Sequence, residues 1–487
     1  MKHWFAPDTI HLIHQKRKLY RVMKQCPTDL VVAKYKCLSN IVRFKTRQDT
    51  RNKVCTLSGS PSKQFWSWVN SVKGHRAPLP PLLHNEPVTD DYAKAEVFNH
   101  YFNSVFTNEN KVDFNMVNSS LVNLSPILET VSFSPDVVYQ ELLHLNVSKA
   151  CGPDLLPPLI LKKAAEFICL PLSNLFNQSM SSGHLPRDWV TANVIPVHKK
   201  GNKRLASNYR PISLSSVIVK VMERIIHRHM IDALSQSNRL SVHQFGFRPN
   251  HSTISLLLNA VNDWALNLEH RRTSHCLFLD FAKAFDTVPH ERLLLKLEAI
   301  GFTGKLLNWF RGFLTTCSQR VVVNGSHSSW LTVRFGVPQG SVLGPLFFLI
   351  YVNDIHDVVF HSRIKLFADD VAIYKAISAS DDCIQLQEDL NCISSWADRW
   401  QLKLNASKCE ALLISRKHST PTFDYNLKGI SLSWKPLVHY LGIYINCKLG
   451  WSDHCKIIAA KATRCLNFLR HTMWSAPRSA KSLAYKV

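Results

Sequence analysis

The sequence predicts a mixed α/β (α+β) protein with acidic residues at its strand ends, and three observations support this. Segments with apolar residues at helical spacing alternate with short apolar runs of strand length. Two hairpins are marked, one by the Asn324-Gly325 turn in "QRVVVNGSHSSWLTVRF" and one by "RIKLFADDVAIYKA", residues 363–376, where apolar runs flank Asp369 and Asp370. The third is bulk: 487 residues at 46% apolar content suit an ordinary globular chain of about two to four domains.

From residue 1 to about 76 the chain is basic, with helical segments broken by polar stretches and Trp66 and Trp68 in "KQFWSWVNSVKG". The Pro-rich "HRAPLPPLLHNEPV", residues 75–88, reads as a linker or surface arm. "DYAKAEVFNHYFNSVFT" has helical spacing, and residues 108–134 are polar and ambiguous. Compact α/β structure begins after "SKACGPDLLPP". Helices are expected over residues 159–180, 213–234, 252–268, 290–300, 305–314, 341–354, 382–400 and 453–473. Gly183 and Pro186 stop the first, while Ser252 and Ser341 fit caps. Strands are expected in "WVTANVIPVHKKG", "HCLFLD", "CEALLIS" and "YLGIYIN", with no internal repeat.

Charge narrows the partners. With 59 Lys+Arg against 35 Asp+Glu the net charge is +24, spread over the whole chain, which calls for a polyanion. Nucleic acid leads and an anionic membrane surface follows. No apolar run reaches the roughly 18 residues of a membrane span, the best being "VLGPLFFLIYV", and the N-terminus has no signal-peptide core. An intracellular, soluble protein is expected. The thirteen cysteines contain no Cys-x-x-Cys, and the cluster Cys447, His454, Cys455, Cys465 matches no common metal spacing, so reduced, mostly buried thiols are expected.

Adjacent acids at a hairpin tip can be a solvated turn or a metal site. A third acid decides: "HCLFLDFAKAFDTVPH" ends an apolar strand on Asp280. Two-metal phosphoryl transfer needs carboxylates from independent elements, and Asp280, Asp369 and Asp370 supply them on buried strands that would hold them rigid.

"FLDFAKAFDTV", "GVPQGSVLGPLFFLIYVNDI", "FADDVAIY", "LNASKCEALLIS" and "YLGIYIN", in that order, resemble the polymerase motifs of reverse transcriptases, most of all those of LINE-type, non-LTR retrotransposons of the jockey-like kind. Upstream, "KACGPDLLPP", "VIPVHKKGNKRLASNYRPISL" and "QFGFRPNHST" resemble the family's finger motifs. The set covers roughly residues 148–449, and eight ordered motifs are far more specific than any one. The resemblance implies a right-hand polymerase fold: a basic N-terminal region and spacer (1–147), fingers (148–275), an antiparallel-sheet palm (276–449) and a partial helical thumb (450–487). It implies RNA-directed DNA polymerisation, with dNTPs, an RNA template and a DNA primer or target as partners, no membrane, and a nuclear and cytoplasmic ribonucleoprotein. The cofactor would be Mg²⁺, two ions held by Asp280, Asp369 and Asp370, with Mn²⁺ as a substitute.

The remaining roles follow the same resemblance. Lys199, Lys200 and Arg210 would meet the triphosphate, Arg210 through its planar fork, although either lysine reads equally well as a solvated surface cation. Phe285 stands where the family carries an aromatic gate against the ribose 2′-hydroxyl, or simply packs the core, and Asp286 beside it reads as a cap or turn residue. Gln339 and Gly340 would lie at the template–nucleotide pair. Lys408 resembles the general acid toward pyrophosphate, or is a solvated loop lysine. Arg248 would contact the template backbone, and Tyr440, Leu441 and Gly442 resemble the primer-grip turn.

Phe367 replaces the Tyr of many relatives, a change the family tolerates. No endonuclease site is legible in residues 1–150, and the chain stops at "SLAYKV", so a copy truncated in the thumb is expected. Two rivals stand: a catalytically impaired truncated or domesticated copy acting only as an RNA-binding protein, and an intron-maturase relative, which would need a splicing domain after the thumb.

Overall fold

The computed structural model describes residues 5–58, 79–84, 86–105, 109–110, 125–417 and 423–472. Trp66, Trp68 and the terminal "SLAYKV" lie outside the described residues. The chain forms two compact units, residues 1–78 with 452–487 and residues 79–451.

In the first unit, helices α1 (Pro7–Gln25) and α2 (Asp29–Ser58) form an antiparallel pair. Pro7 opens α1 where its missing N–H costs nothing. The Ala6 N–H donates to Asp49 at 2.8 Å, and Tyr20 meets Tyr35 at 5.5 Å between centroids. The unit also holds the last described helix, Ser452–Thr472.

The second unit opens with the hairpin β1 (Leu82–His84) and β2 (Glu86–Val88), followed by α3 (Asp91–Ser104), α4 (Pro135–Leu143), α5 (Pro158–Lys163) and α6 (Ala165–Ser182). Strands β3 (Thr191–His198) and β4 (Tyr209–Ser215) pair antiparallel, Ala192 opposite Ser215 and His198 opposite Tyr209. Then come α7 (Val217–Gln236), α8 (Thr253–Glu269), β5 (Thr273–Asp280), α9 (His290–Ala299), α10 (Gly304–Thr315) and β6 (Ser318–Val323), which lies parallel to β3. Short strands β7 (Ser326–His327) and β8 (Leu331–Thr332) finish that sheet. The chain continues through α11 (Gly344–Tyr351), β9 (Arg363–Phe367), β10 (Asp370–Ile377), α12 (Ser380–Arg399) and β11 (Glu410–Ile414). It closes with β12 (Asn426–Leu427), β13 (Ile430–Ser431), β14 (Ser433–Trp434), β15 (Leu437–Tyr440) and β16 (Ile443–Asn446).

The central sheet has the order β14-β11-β5-β10-β9, with β5 antiparallel to both β10 and β11. Its residues alternate between two cores. Leu277, Leu279, Val371 and Ile373 face the main core with α12, while Cys276, Phe278, Ala372 and Tyr374 face Trp264 of α8 and Tyr440. With both faces covered, the strands read as continuous apolar runs, and only Asp280, at the end of β5, stays partly exposed.

Several expectations are corrected. Residues 213–215 belong to β4, and α7 starts at Val217, capped by Ser216 Oγ accepting from the Ile218 N–H at 3.2 Å. The helix expected over 159–180 is two, broken at Ala164. That over 341–354 shrinks to α11, with a tighter turn through Asn353–Val358. "YLGIYIN" is a hairpin, because Leu441 and Gly442 adopt φ +46° and +93°, as a two-residue turn requires. The expected arm is packed from Leu79 onward: Leu82 is fully buried with Phe98, Tyr209 and Val321, so the region expected to be spacer up to residue 147 contributes to this unit. Of the described cysteines, Cys276, Cys383 and Cys409 are buried, whereas Cys26, Cys37, Cys455 and Cys465 are exposed. No helix among the described residues is long and apolar enough to cross a membrane.

Candidate active site

Asp370 stands directly across the sheet from Asp280, because register pairs the first residue of β10 with the last of β5. Asp369 occupies the β9–β10 turn, which Phe367 and Asp370 close and in which Ala368 takes φ +55°. That left-handed backbone costs a non-glycine residue about 1–2 kcal/mol and persists only where neighbours enforce it. Here buried Gln244 does so: its Oε1 accepts from the Ala368 N–H at 3.0 Å and the Gly246 N–H at 2.8 Å. Gly246 comes so close that a Cβ would lie 2.4 Å from Ala368 N.

Lys408, in the turn before β11, sets its Nζ 3.0 Å from Asp280 Oδ2. Burial, with repulsion from Asp280, raises the Asp369 pKa. Burial, then Asp369 and Asp280, pushes Asp370 up to about 6, although its side chain reaches solvent. Among the described residues no three His, Cys, Asp or Glu side chains are drawn together closely enough to hold a metal ion as they stand. The donors are nonetheless the hard oxygens that Mg²⁺ prefers, and Asp369 and Asp370, raised by burial and by their acidic neighbours, are groups whose ionised form a bound cation would favour.

A cleft of about 600 Å³ separates these acids from the β3–β4 hairpin. Lys199, Lys200 and Arg210 line it, as do Asp280, Asp369, Phe285, Gln339, Gly340 and Lys408. The cations crowd one another: burial, then Arg210 and Lys408, lowers the Lys199 pKa. Phe285 stacks on Phe348 at 4.5 Å and remains half-buried. Gln339 Nε2 donates to Asp286 Oδ1 at 2.7 Å, so Asp286 does more than turn the chain. Burial pushes its carboxyl up to about 6. Gly340 has φ +130°, and a Cβ there would sit 2.3 Å from Ser213 O. The loop is also held from behind: Glu223 Oε2, fully buried on α7, accepts from the N–H groups of Val342 at 2.6 Å and Leu343 at 3.1 Å.

Asp370 does not line this cleft although it pairs with Asp280, and four further expected residues stand apart from it. Arg248 turns inward, its Nη1 donating to Ser241 O at 2.6 Å and Gln244 O at 3.3 Å, which braces the loop beside the β9–β10 hairpin. Tyr440 is buried behind the sheet against Phe278 at 4.8 Å. Leu441 is half-buried, and Gly442 is exposed with nothing within 4 Å of a Cβ, so the turn itself demands the glycine. Sequence reasoning missed Lys283, Asp286, Gln244 and Glu223. Only the first two carried a signal, lying between and beside Asp280 and Phe285.

Residues 197–445, just over half of the chain, match the model of the family described as reverse transcriptase (RNA-dependent DNA polymerase), and the chain belongs to that family. Its curated relatives include jockey itself, as the sequence resemblance leads one to expect, beside other retrotransposable elements. The RNA-directed DNA polymerase from mobile element jockey of Drosophila melanogaster is 32% identical over 71% of this chain and 38% of its own length. From the same species, the probable RNA-directed DNA polymerases from transposon BS and transposon X-element are 26% and 27% identical. These matches cover 96% and 88% of this chain, and 54% and 48% of the relatives. The chain thus spans about half the length of these relatives or less.

Proposed function

We propose that the chain is an RNA-directed DNA polymerase of a non-LTR retrotransposon, adding deoxynucleotides to a primer 3′-hydroxyl on an RNA template. The observation that carries this reading is one cleft with Asp280 and Asp369 on one wall and Lys199, Lys200 and Arg210 on the other. Carboxylates facing cations suit a triphosphate whose reacting phosphorus lies between them. In this reading residues 148–275 are the fingers, 276–449 the palm and 450–487 part of a thumb, working inside the cell as a nuclear and cytoplasmic ribonucleoprotein.

Asp280, Asp369 and Asp370 would hold Mg²⁺, or Mn²⁺ in its place, and the bound charge would stabilise the attacking and leaving oxygens. Lys199, Lys200 and Arg210 bind and orient the triphosphate, and Arg210 can bridge two of its oxygens. Lys408 holds a proton at Nζ beside Asp280 and passes it to the departing pyrophosphate. The Phe285 ring, backed by Phe348, excludes a 2′-hydroxyl by clash, and Gln339, steadied by Asp286, reads the nascent pair. Arg248 acts on the template through the loop it braces, and Tyr440 supports the Leu441-Gly442 turn from within the core for the primer.

Primer extension on poly-rA with Mg²⁺ and labelled dTTP tests this, beside the Asp369→Asn, Asp370→Asn double variant. Incorporation by the native chain that the variant loses supports the reading. Salt-sensitive RNA binding without incorporation by either points to a remnant that binds RNA without copying it.

A further inference from the structure

We propose that Lys283 is a further triphosphate-binding cation and that Tyr101 is its positioning residue, on a helix that precedes the matched segment 197–445; this rests on the polymerase reading above. Lys283 lies three residues after Asp280 and two before Phe285, and it lines the same cleft as Lys199 and Arg210. Its Nζ donates to the Tyr101 hydroxyl at 2.5 Å and lies 4.1 Å from the centroid of that ring. Among the described residues no carboxylate lies within ion-pairing distance of it, and although its charge reaches Asp286 in the same cleft, its Nζ keeps N–H groups for an anion there.

Two features set Lys283 apart from a surface lysine. Its backbone takes φ +52°, a left-handed conformation that is unfavourable for a lysine and persists only where the surrounding turn between Asp280 and Phe285 enforces it. An exposed lysine that binds a phosphate also gives up most of its rotamer entropy. Tyr101 removes part of that cost in advance by holding the ammonium at its hydroxyl oxygen, beyond the edge of the ring, while leaving N–H groups free to donate.

Tyr101 can do this because α3 is firmly docked. Asp90 caps it, its Oδ2 accepting from the Ala93 N–H at 2.8 Å. Glu96 takes the Ser329 N–H at 2.7 Å, and Asn99 Nδ2 donates to Ser329 O at 2.8 Å. Phe98 is fully buried against Tyr209, next in sequence to Arg210. One helix therefore supports the β3–β4 hairpin and holds Lys283 over the cleft.

The test measures dTTP KM and kcat in primer extension, with equilibrium binding of dTTP and dTMP to the full chain on a chain-terminated primer–template. Lys283→Ala should weaken dTTP about tenfold, the worth of one charge-assisted contact, and leave dTMP and primer–template binding unchanged. Tyr101→Phe keeps the ring and should cost about threefold, and Tyr101→Ala should approach Lys283→Ala. The double variant Tyr101→Ala, Lys283→Ala should be no worse than Lys283→Ala alone, since both act through one ammonium. Tyr101→Phe, which leaves the packing of α3 intact, separates this role from a folding defect. Native kinetics in Lys283→Ala, or a defect in primer–template rather than dTTP binding, overturns the inference alone. A native chain that neither binds nor incorporates dTTP overturns the polymerase reading and this inference with it.

Discussion

Relative to the native chain, a Glu223→Gln variant should gain stability as pH rises. The carboxyl is fully buried on α7, and burial pushes its pKa from the ordinary 4.5 up to about 7, against the pull of the Leu343 and Val342 N–H donors and of Lys220 and Arg224. A folded-state pKa above the unfolded one means that the stability this group lends is complete below about 4.5 and is lost as pH rises through about 7. At about 1.4 kcal/mol per unit, the loss reaches about 3 kcal/mol by pH 8. Glutamine keeps an oxygen for both N–H groups and carries no such loss. In urea denaturation, the advantage of Glu223→Gln over the native chain should therefore widen by about 2–3 kcal/mol between about pH 5 and pH 8. Primer extension should stay within a few-fold of native, because the loop bearing Gln339 and Gly340 remains anchored. Glu223→Ala should instead strand two N–H groups at about 1–3 kcal/mol each and lose activity. A stability difference independent of pH would refute the argument.

Two further substitutions probe the frame of the cleft. Gly246→Ala puts a Cβ 2.4 Å from Ala368 N and must displace the turn carrying Asp369; steady-state kinetics should show kcat down at least about tenfold with stability lowered by about 1–3 kcal/mol. Lys296→Met removes an ammonium buried over Trp400 at 3.7 Å and bonded to Asp354 at 2.6 Å. It should cost about 3–5 kcal/mol in urea denaturation, most of it recovered in the Lys296→Met, Asp354→Leu pair.

What was legible in the sequence is what local pattern determines. The apolar run of β5 ending at Asp280, the hairpin around Asp369 and the Ser252 cap of α8 all emerge as expected, the last as a full capping box with Ser255. β4 was hidden because Ser213 and Leu214 fit a helical spacing locally, and only pairing with Val194 and Asn193 of β3 makes them strand. Local pattern alone reads the β15–β16 turn as strand, because leucine at φ +46° is no turn signal, and only the family resemblance marks a turn at Tyr440, Leu441 and Gly442. At the candidate site, the acids and basic residues could be named from the chain. Arg248 and Tyr440 could not be oriented, since their partners are the Ser241 and Gln244 carbonyls and the Phe278 ring. Contacts such as Gln339 with Asp286, 53 residues apart, or Lys283 with Tyr101, 182 apart, leave no trace in any window of sequence.

The place of β5 in the sheet bears on when the protein can first work. Asp280 ends a strand that needs β10 on one edge and β11 on the other, and Lys408 reaches it from the turn just before β11. Parts separated by 90 to 129 residues must all be present before the acids share one face. On the ribosome, where synthesis runs from the N-terminus at about 5–20 residues per second, the cation-bearing β3–β4 hairpin emerges well before the strands that complete the acidic wall. A nascent chain therefore carries its basic wall before its acidic one, and Asp280, Asp370 and Lys408 come together only once β11 has left the exit tunnel and slotted beside β5.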